Sequence, residues 1–179
     1  IKLIILDRPN PHMHYVDGPV LETGYTSFVG MHPVPIIYGM SIGEYALMIN
    51  GQGWLGDNLS CDLHIVKNNL TSRNERIDIS MPPPSPNLRN MNAIFLYPSL
   101  CFFEGTIVSA GRGTDYPFEI YGAPFFTTDF SFVPNENFGS KNPKFNGEIC
   151  YGFDLRKAAN VLLVNNEKSI QMQYLINAY

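Results

Sequence analysis

The sequence predicts an α/β fold, and three observations carry that prediction. The chain opens with an apolar run of strand length, Ile1, Leu3, Ile4, Ile5 and Leu6, interrupted only by Lys2. A run without polar alternation is the pattern of a strand buried on both faces of a parallel sheet. Ser41-Ile42-Gly43-Glu44 then opens a helix. Its serine hydroxyl suits the amide of Glu44, and the Glu44 carboxylate suits the amide of Ser41, which makes a capping box. Toward the other end, Ile170, Tyr174, Leu175 and Ala178 share one helical stripe.

Between these landmarks the elements follow in order. Glycines and prolines from Gly18-Pro19 to Pro33-Val34-Pro35 predict a long turn region reaching about Tyr38. A helix over 41–50 presents Tyr45, Met48 and Ile49 on one face, and Gly51 is placed to end it in a left-handed cap. Residues 61–66 alternate in part and predict a strand with Leu63 and Ile65 on one side. Residues 68–90 are polar and proline-rich, hence a loop, and 93–103 predict a short helix interrupted by Pro98. Residues 118–122 read as a strand, as do 125–133 and 148–155. The change of character after Pro124 suggests a boundary near 124–128, dividing the chain into 1–124 and 125–179.

Composition narrows the function. A chain of 179 residues with 45% hydrophobic and 13% aromatic content can build a packed core. The net charge of −4 leaves no basic footprint, so neither a nucleic-acid partner nor an anionic membrane surface is expected. No apolar run approaches the roughly 18 residues of a membrane-spanning helix. No signal peptide is expected either, because Asp7 follows Lys2 after four apolar residues. Cys61, Cys101 and Cys150 are far apart and form no C-x-x-C pair, which argues against a zinc knuckle or redox motif. One disulfide and three buried thiols both remain open. The four histidines lack metal-ligand spacing, no G-x-S-x-G elbow is present, and no G-x-G-x-x-G follows a strand. A serine hydrolase and a dinucleotide oxidoreductase are therefore disfavoured, and no metal or cofactor is expected.

Three constellations remain. Asp7, Arg8 and Asn10 stand in a turn stiffened by Pro9 and Pro11, just past the carboxyl end of a strand, where open α/β sheets bind ligands. An Asx-turn that merely closes the strand is the other reading. Glu104 and Glu119 flank Gly111-Arg112-Gly113-Thr114, where glycines would let the backbone approach a ligand and Arg112 suits a carboxylate. A tight turn tied by its arginine fits the same residues. Asn87, in Ser85-Pro86-Asn87-Leu88, offers a donor and an acceptor to a sugar hydroxyl or caps its own turn. Tyr97 is either a platform for a sugar ring or a core tyrosine. Glu44 is accounted for by its capping box.

Taken in order, several blocks resemble one family. They include Leu6-Asp7-Arg8-Pro9-Asn10-Pro11, Asp17-Gly18-Pro19, Tyr38-Gly39-Met40-Ser41-Ile42-Gly43-Glu44, Gly53-Trp54-Leu55, Ser85-Pro86-Asn87-Leu88, Phe103-Glu104-Gly105-Thr106, Gly111-Arg112-Gly113-Thr114 and Gly122-Ala123-Pro124. The chain resembles a bacterial uncharacterised-domain family that includes exo-β-N-acetylmuramidases of peptidoglycan recycling. That resemblance implies part of a Rossmann-like catalytic domain followed by part of a smaller α+β auxiliary domain. It implies release of N-acetylmuramic acid from the non-reducing end of peptidoglycan fragments, in the bacterial periplasm or outside the cell. The partner would be a peptidoglycan-derived sugar or muropeptide. The alternative is a non-catalytic carbohydrate-binding or structural module of the same fold. A Glu-His-Gly block expected upstream in the family does not occur, so the chain resembles the middle of such a protein. Where the family often has Arg-His, this chain has Ile37-Tyr38. Glycoside hydrolysis needs two carboxyl groups, for which Asp7, Glu104 and Glu119 are the candidates. Arg8, Asn10, Asn87, Tyr97, Arg112 and Thr114 are the candidate substrate-binding residues.

Overall fold

Strand β1 (Lys2–Leu6) leads into a hairpin of β2 (Asp17–Val20) and β3 (Pro35–Ile37), then helix α1 (Ile42–Gly51) and strand β4 (Asp62–Val66). The computed structural model describes residues 2–68 and 82–179, so the stretch 69–81 of the polar loop read over 68–90 lies outside the described residues. The chain divides into two units, Ile1–Asp78 and Ile79–Tyr179, and each is described by itself.

In the first unit β1 and β4 pair in parallel, with Ile4 opposite His64 and Leu6 opposite Val66. Parallel neighbours need a crossover, and the connection between these two contains α1. The chain is thus of the α/β class predicted. The capping box forms as read, with Ser41 Oγ accepting from the Glu44 amide at 3.2 Å and Glu44 Oε2 accepting from the Ser41 amide at 2.9 Å. Three expectations fail locally. The first strand is not buried on both faces, since Leu6 is 75% exposed and Ile4 55%. It packs on β4 and on α1, which leaves much of its apolar surface open. Gly51 stays inside the helix, and the left-handed residue is Gly53, with φ 70°. The supposed turn region before Tyr38 contains the β2–β3 hairpin, hidden in the sequence by Pro19 and Pro35, which usually mark edges and turns.

The second unit holds the larger core. Helix α2 (Met91–Leu100) continues as a 3-10 turn (Cys101–Gly105), and an antiparallel sheet follows in the order β5 (Ile120–Ala123), β7 (Cys150–Asp154), β6 (Phe130–Phe132). Helices α3 (Arg156–Val164) and α4 (Gln173–Ala178) complete it. Pro98 lies within α2 and does not interrupt it. Proline removes one helical hydrogen bond, whereas Leu96, Pro98 and Leu100 are all buried, so packing outweighs the loss. The strand read over 125–133 shortens to Phe130–Phe132, and the helical stripe of Ile170, Tyr174, Leu175 and Ala178 is helix only over Gln173–Ala178, which leaves Ile170 outside it. Helix α3 was not read from the sequence. Leu155, Ala159 and Leu163 recur every four residues and are buried, but no side chain caps the helix start.

Leu96, Leu100, Phe103, Phe118, Tyr121, Leu155 and Ala159 form one cluster. At its centre Tyr121 stacks between Phe103 and Phe153, with ring centroids 4.9 and 5.0 Å away. Cys61, Cys101 and Cys150 form no disulfide.

Burial pushes the Tyr121 hydroxyl up to about 12 and the Cys150 thiol up to about 11. Both groups are neutral when protonated, and both titrate higher in the folded chain than when exposed. Their contribution is therefore complete below about pH 9 and is lost as pH rises toward 12. Denaturant titrations should give a flat stability up to about pH 9 and a decline above it, and Tyr121→Phe should flatten the upper part of that decline.

Candidate functional site

Asp7 ends β1 and meets the start of α1. Ser41 Oγ donates to Asp7 Oδ2 at 2.9 Å, the Gly43 amide donates to Oδ1 at 2.9 Å, and the Asn68 side-chain amide donates to Oδ2 at 3.0 Å. A carboxylate at a helix N-terminus is favoured by the unpaired amides and the helix dipole. Gly43 makes the approach possible, because a Cβ there would lie 2.9 Å from Asp7 Cγ and 2.8 Å from Ile65 Cγ2. The same turn is braced by Asn10, whose side-chain amide donates to the Met40 carbonyl at 2.9 Å while its Oδ1 accepts from the His12 amide. Arg8 is half-buried. The Asp7 to Pro11 turn thus ties the strand end to the helix that follows it.

The hairpin side of this unit carries an aromatic cluster that sequence reading missed. His32 stacks on Trp54 with centroids 5.1 Å apart, its Nδ1 is 2.9 Å from the Tyr45 hydroxyl, and Tyr45 stacks on Tyr38 at 5.0 Å. Its signal was diffuse, since the four residues lie between positions 32 and 54 with no periodic spacing. His32, Tyr38 and Tyr45 line an apolar cavity of about 720 Å³ with Tyr25, Phe28 and Met31.

In the second unit, Glu104, Arg112 and Tyr97 come together. Arg112 Nη1 donates to Glu104 Oε1 at 2.6 Å, and the Tyr97 hydroxyl lies 3.5 Å from Glu104 Oε2. The Arg112 and Glu104 side chains are 42% and 36% exposed, so the pair is open to solvent and to a ligand. They line a groove of about 400 Å³ with Ser109, Ser140, Lys141 and Lys144. Burial, followed by the nearby Glu104, pushes the Tyr97 hydroxyl up. Tyr97 packs edge-on against Phe118, so it serves the core and reaches the groove margin with its hydroxyl.

The glycines beside Arg112 serve the protein's own packing. Gly111 has φ 76° and Gly113 φ 88°, and a Cβ on Gly113 would lie 2.6 Å from Pro143 Cβ. The close approach read there as room for a ligand is taken by the facing loop. Thr114 bonds within its own turn, donating to the Gly111 carbonyl at 2.7 Å. Asn87 is buried and donates to the Gly139 carbonyl at 2.6 Å, which holds the loop that gives Gly139 and Ser140 to the groove. Glu119 is 4% exposed and accepts from the Asn90 side-chain amide at 2.7 Å, while Asn90 Oδ1 caps α2 through the Ala93 amide. Lys141, Lys144, Ser109 and Ser140 were missed as groove residues because no local motif marks them. Among the described residues no cluster of histidine, cysteine and carboxylate side chains is placed to hold a metal ion.

Asp7→Ala should destabilise the chain by about 2 kcal/mol, because it strands the Ser41 hydroxyl and the Gly43 amide. Ser41→Ala should cost about 1 kcal/mol, and the double variant should lose less than the sum, since the two share a hydrogen bond. Chemical denaturation of the three variants measures this.

Two family models cover the chain. The N-terminal model of exo-beta-N-acetylmuramidase NamZ matches residues 1–92, and its C-terminal model matches 95–179. The peptidoglycan beta-N-acetylmuramidase NamZ of Bacillus subtilis (strain 168) is 37% identical over 171 residues, a match covering 87% of this chain and 40% of that protein. The crystal structure of a DUF1343 family protein from Bacteroides fragilis NCTC 9343 superposes with a TM-score of 0.92 at 45% identity, over 99% of this chain and 50% of that one. A second DUF1343 protein of the same strain shares the fold, with a TM-score of 0.72 at 24% identity. The chain therefore spans 40 to 51% of the length of these relatives. With residues 1–92 and 95–179 matched by the two models, this chain belongs to the exo-β-N-acetylmuramidase NamZ family.

Proposed function

We propose that this chain is the part of an exo-β-N-acetylmuramidase that releases N-acetylmuramic acid from the non-reducing end of peptidoglycan fragments, in the bacterial periplasm or outside the cell. Membership of the family carries the reaction class. The exposed Arg112–Glu104 pair in its groove supports the substrate. N-acetylmuramic acid differs from N-acetylglucosamine by a lactyl carboxylate, and a guanidinium recognises a carboxylate through paired N–H donors. Arg112 is the residue for that contact, with Lys141 adding positive charge along the same groove.

Hydrolysis of a glycosidic bond needs a proton donor for the leaving oxygen and a second carboxyl group for the sugar carbon or its water. Among the described residues, Glu104 lines an open groove. Asp7 is held by three donors of its own unit, and Glu119 is enclosed beside Asn90. We assign Glu104 to direct contact with the sugar, and Asp7, with Arg8 and Asn10, to shaping the loop at the end of β1.

The engagement of Asp7 and Glu119 in internal bonds, in a chain spanning 40% of its Bacillus relative, favours a second reading: a carbohydrate-binding module without turnover of its own. A chromogenic N-acetylmuramide separates the two. Hydrolysis by the 179-residue chain supports the enzyme, and binding without hydrolysis, beside an active Bacillus relative, supports the module. For either reading Arg112→Ala should cut the preference for N-acetylmuramic acid over N-acetylglucosamine by about 10- to 100-fold, the worth of a charge-assisted hydrogen bond. An unchanged ratio removes Arg112 from the contact.

A further inference from the structure

One side chain of the groove is engaged in an unusual way. Lys144 Nζ donates to the carbonyls of Phe103 at 2.8 Å, Glu104 at 3.3 Å, Thr106 at 2.5 Å and Val108 at 3.2 Å. An ammonium has three N–H donors, so four converging carbonyls use it as a point charge as well as a donor. The acceptors lie along one stretch, from Phe103 to Val108. Phe103 and Glu104 belong to the 3-10 turn that ends α2, and Thr106 and Val108 lie in the loop that leads toward Arg112. Carbonyls at a helix end carry partial negative charge, and of these four the Phe103 carbonyl also accepts from the Thr106 amide and the Thr106 hydroxyl, both at 3.0 Å. Turned toward one point, they repel one another unless a cation stands between them.

Lys144 also joins the two sides of the groove. Its own loop gives Ser140, Lys141 and Pro143 to one wall, and the stretch it binds gives Glu104, Ser109 and Arg112 to the other. Pro143, next to it, is packed against Gly113. Because its ammonium is turned to the carbonyls, Lys144 holds the loop that carries Glu104, while Arg112 keeps its exposure for a ligand.

We propose that Lys144 is the positioning residue of this groove. Its ammonium fills a cage of backbone carbonyls that a small primary ammonium ion can also fill, and the filled cage fixes Glu104 and Arg112 for an anionic sugar. The cage stands on its own geometry; its consequence for the sugar rests on the proposed function above.

The test uses Lys144→Ala and Lys144→Arg in the whole chain, read by amide hydrogen exchange over 103–112 and by the affinities for N-acetylmuramic acid and N-acetylglucosamine. In the alanine variant, exchange over 103–112 should quicken about tenfold and the ratio of the two affinities should fall about tenfold. Methylammonium chloride should restore both. Tetramethylammonium chloride at equal ionic strength should restore neither, because it has no N–H to donate. The arginine variant should resemble the alanine variant, since a planar guanidinium keeps the charge but cannot serve converging acceptors as an ammonium does. Unchanged exchange in the alanine variant, a wild-type ratio in the arginine variant, or equal rescue by both salts overturns the proposal. If the wild-type chain itself does not distinguish the two sugars, the reading of the groove fails, and the exchange and rescue measurements still decide the cage. Should Lys144→Ala not accumulate, Lys144→Met, which keeps the aliphatic stem, is read by the same criteria.

Discussion

The stack of Phe103, Tyr121 and Phe153 is the contact on which the second unit depends. Phe103 belongs to the turn after α2, Tyr121 to β5 and Phe153 to β7, and Tyr121 is fully buried between its two neighbours. Large aromatic faces bury much apolar surface, and offset stacking adds about 0.5–1.5 kcal/mol per pair. Position follows from this contact as well as stability. The residue after Phe103 is Glu104, and Arg112 lies in the loop that returns the chain to β5. A fixed stack brings both ends of that loop to one place, so that a glutamate and an arginine eight residues apart meet at 2.6 Å. The groove is a consequence of the core beneath it.

The first unit solves a similar problem with polar atoms. Beyond β1 the chain must turn and later begin a helix whose first amides have no partners. The Asp7 carboxylate takes one of those amides and the capping serine at once. Each hydrogen bond is worth modest energy, but a buried donor left unpaired costs about 1–3 kcal/mol, so the arrangement is enforced by what its absence would leave exposed. Of the two readings of the Asp7 to Pro11 turn, the one these bonds display is the closing of a strand on a helix.

Much of the architecture was legible in short patterns. The capping box of Ser41 and Glu44 was visible because each half of it satisfies a specific backbone group of the other residue. The apolar run of β1 announced a strand of a parallel sheet and the alternation of β4 a strand, although not that the two are each other's partners. Elements without a local signal escaped. Helix α3 lacks a capping side chain, the β2–β3 hairpin is masked by its prolines, and Pro98 looked like an interruption although burial on its helix outweighs the missing hydrogen bond. In each case tertiary packing overrode a weak local preference.

By itself the sequence determined the α/β class and the family, because these depend on periodicity and on ordered short motifs. Only the tertiary structure decided what the candidate residues do. Glu104 meets Arg112 at an open groove, Asn87 and Asn90 serve a loop and a helix cap, and Glu119 is enclosed. Lys144 carries no motif, yet four carbonyls converge on it. For Asn87, Glu119 and Lys144 the physical reason is the same: a hydrogen-bond partner brought from 29 to 52 residues away is chosen by the packing of the core, and no spacing along the chain records it.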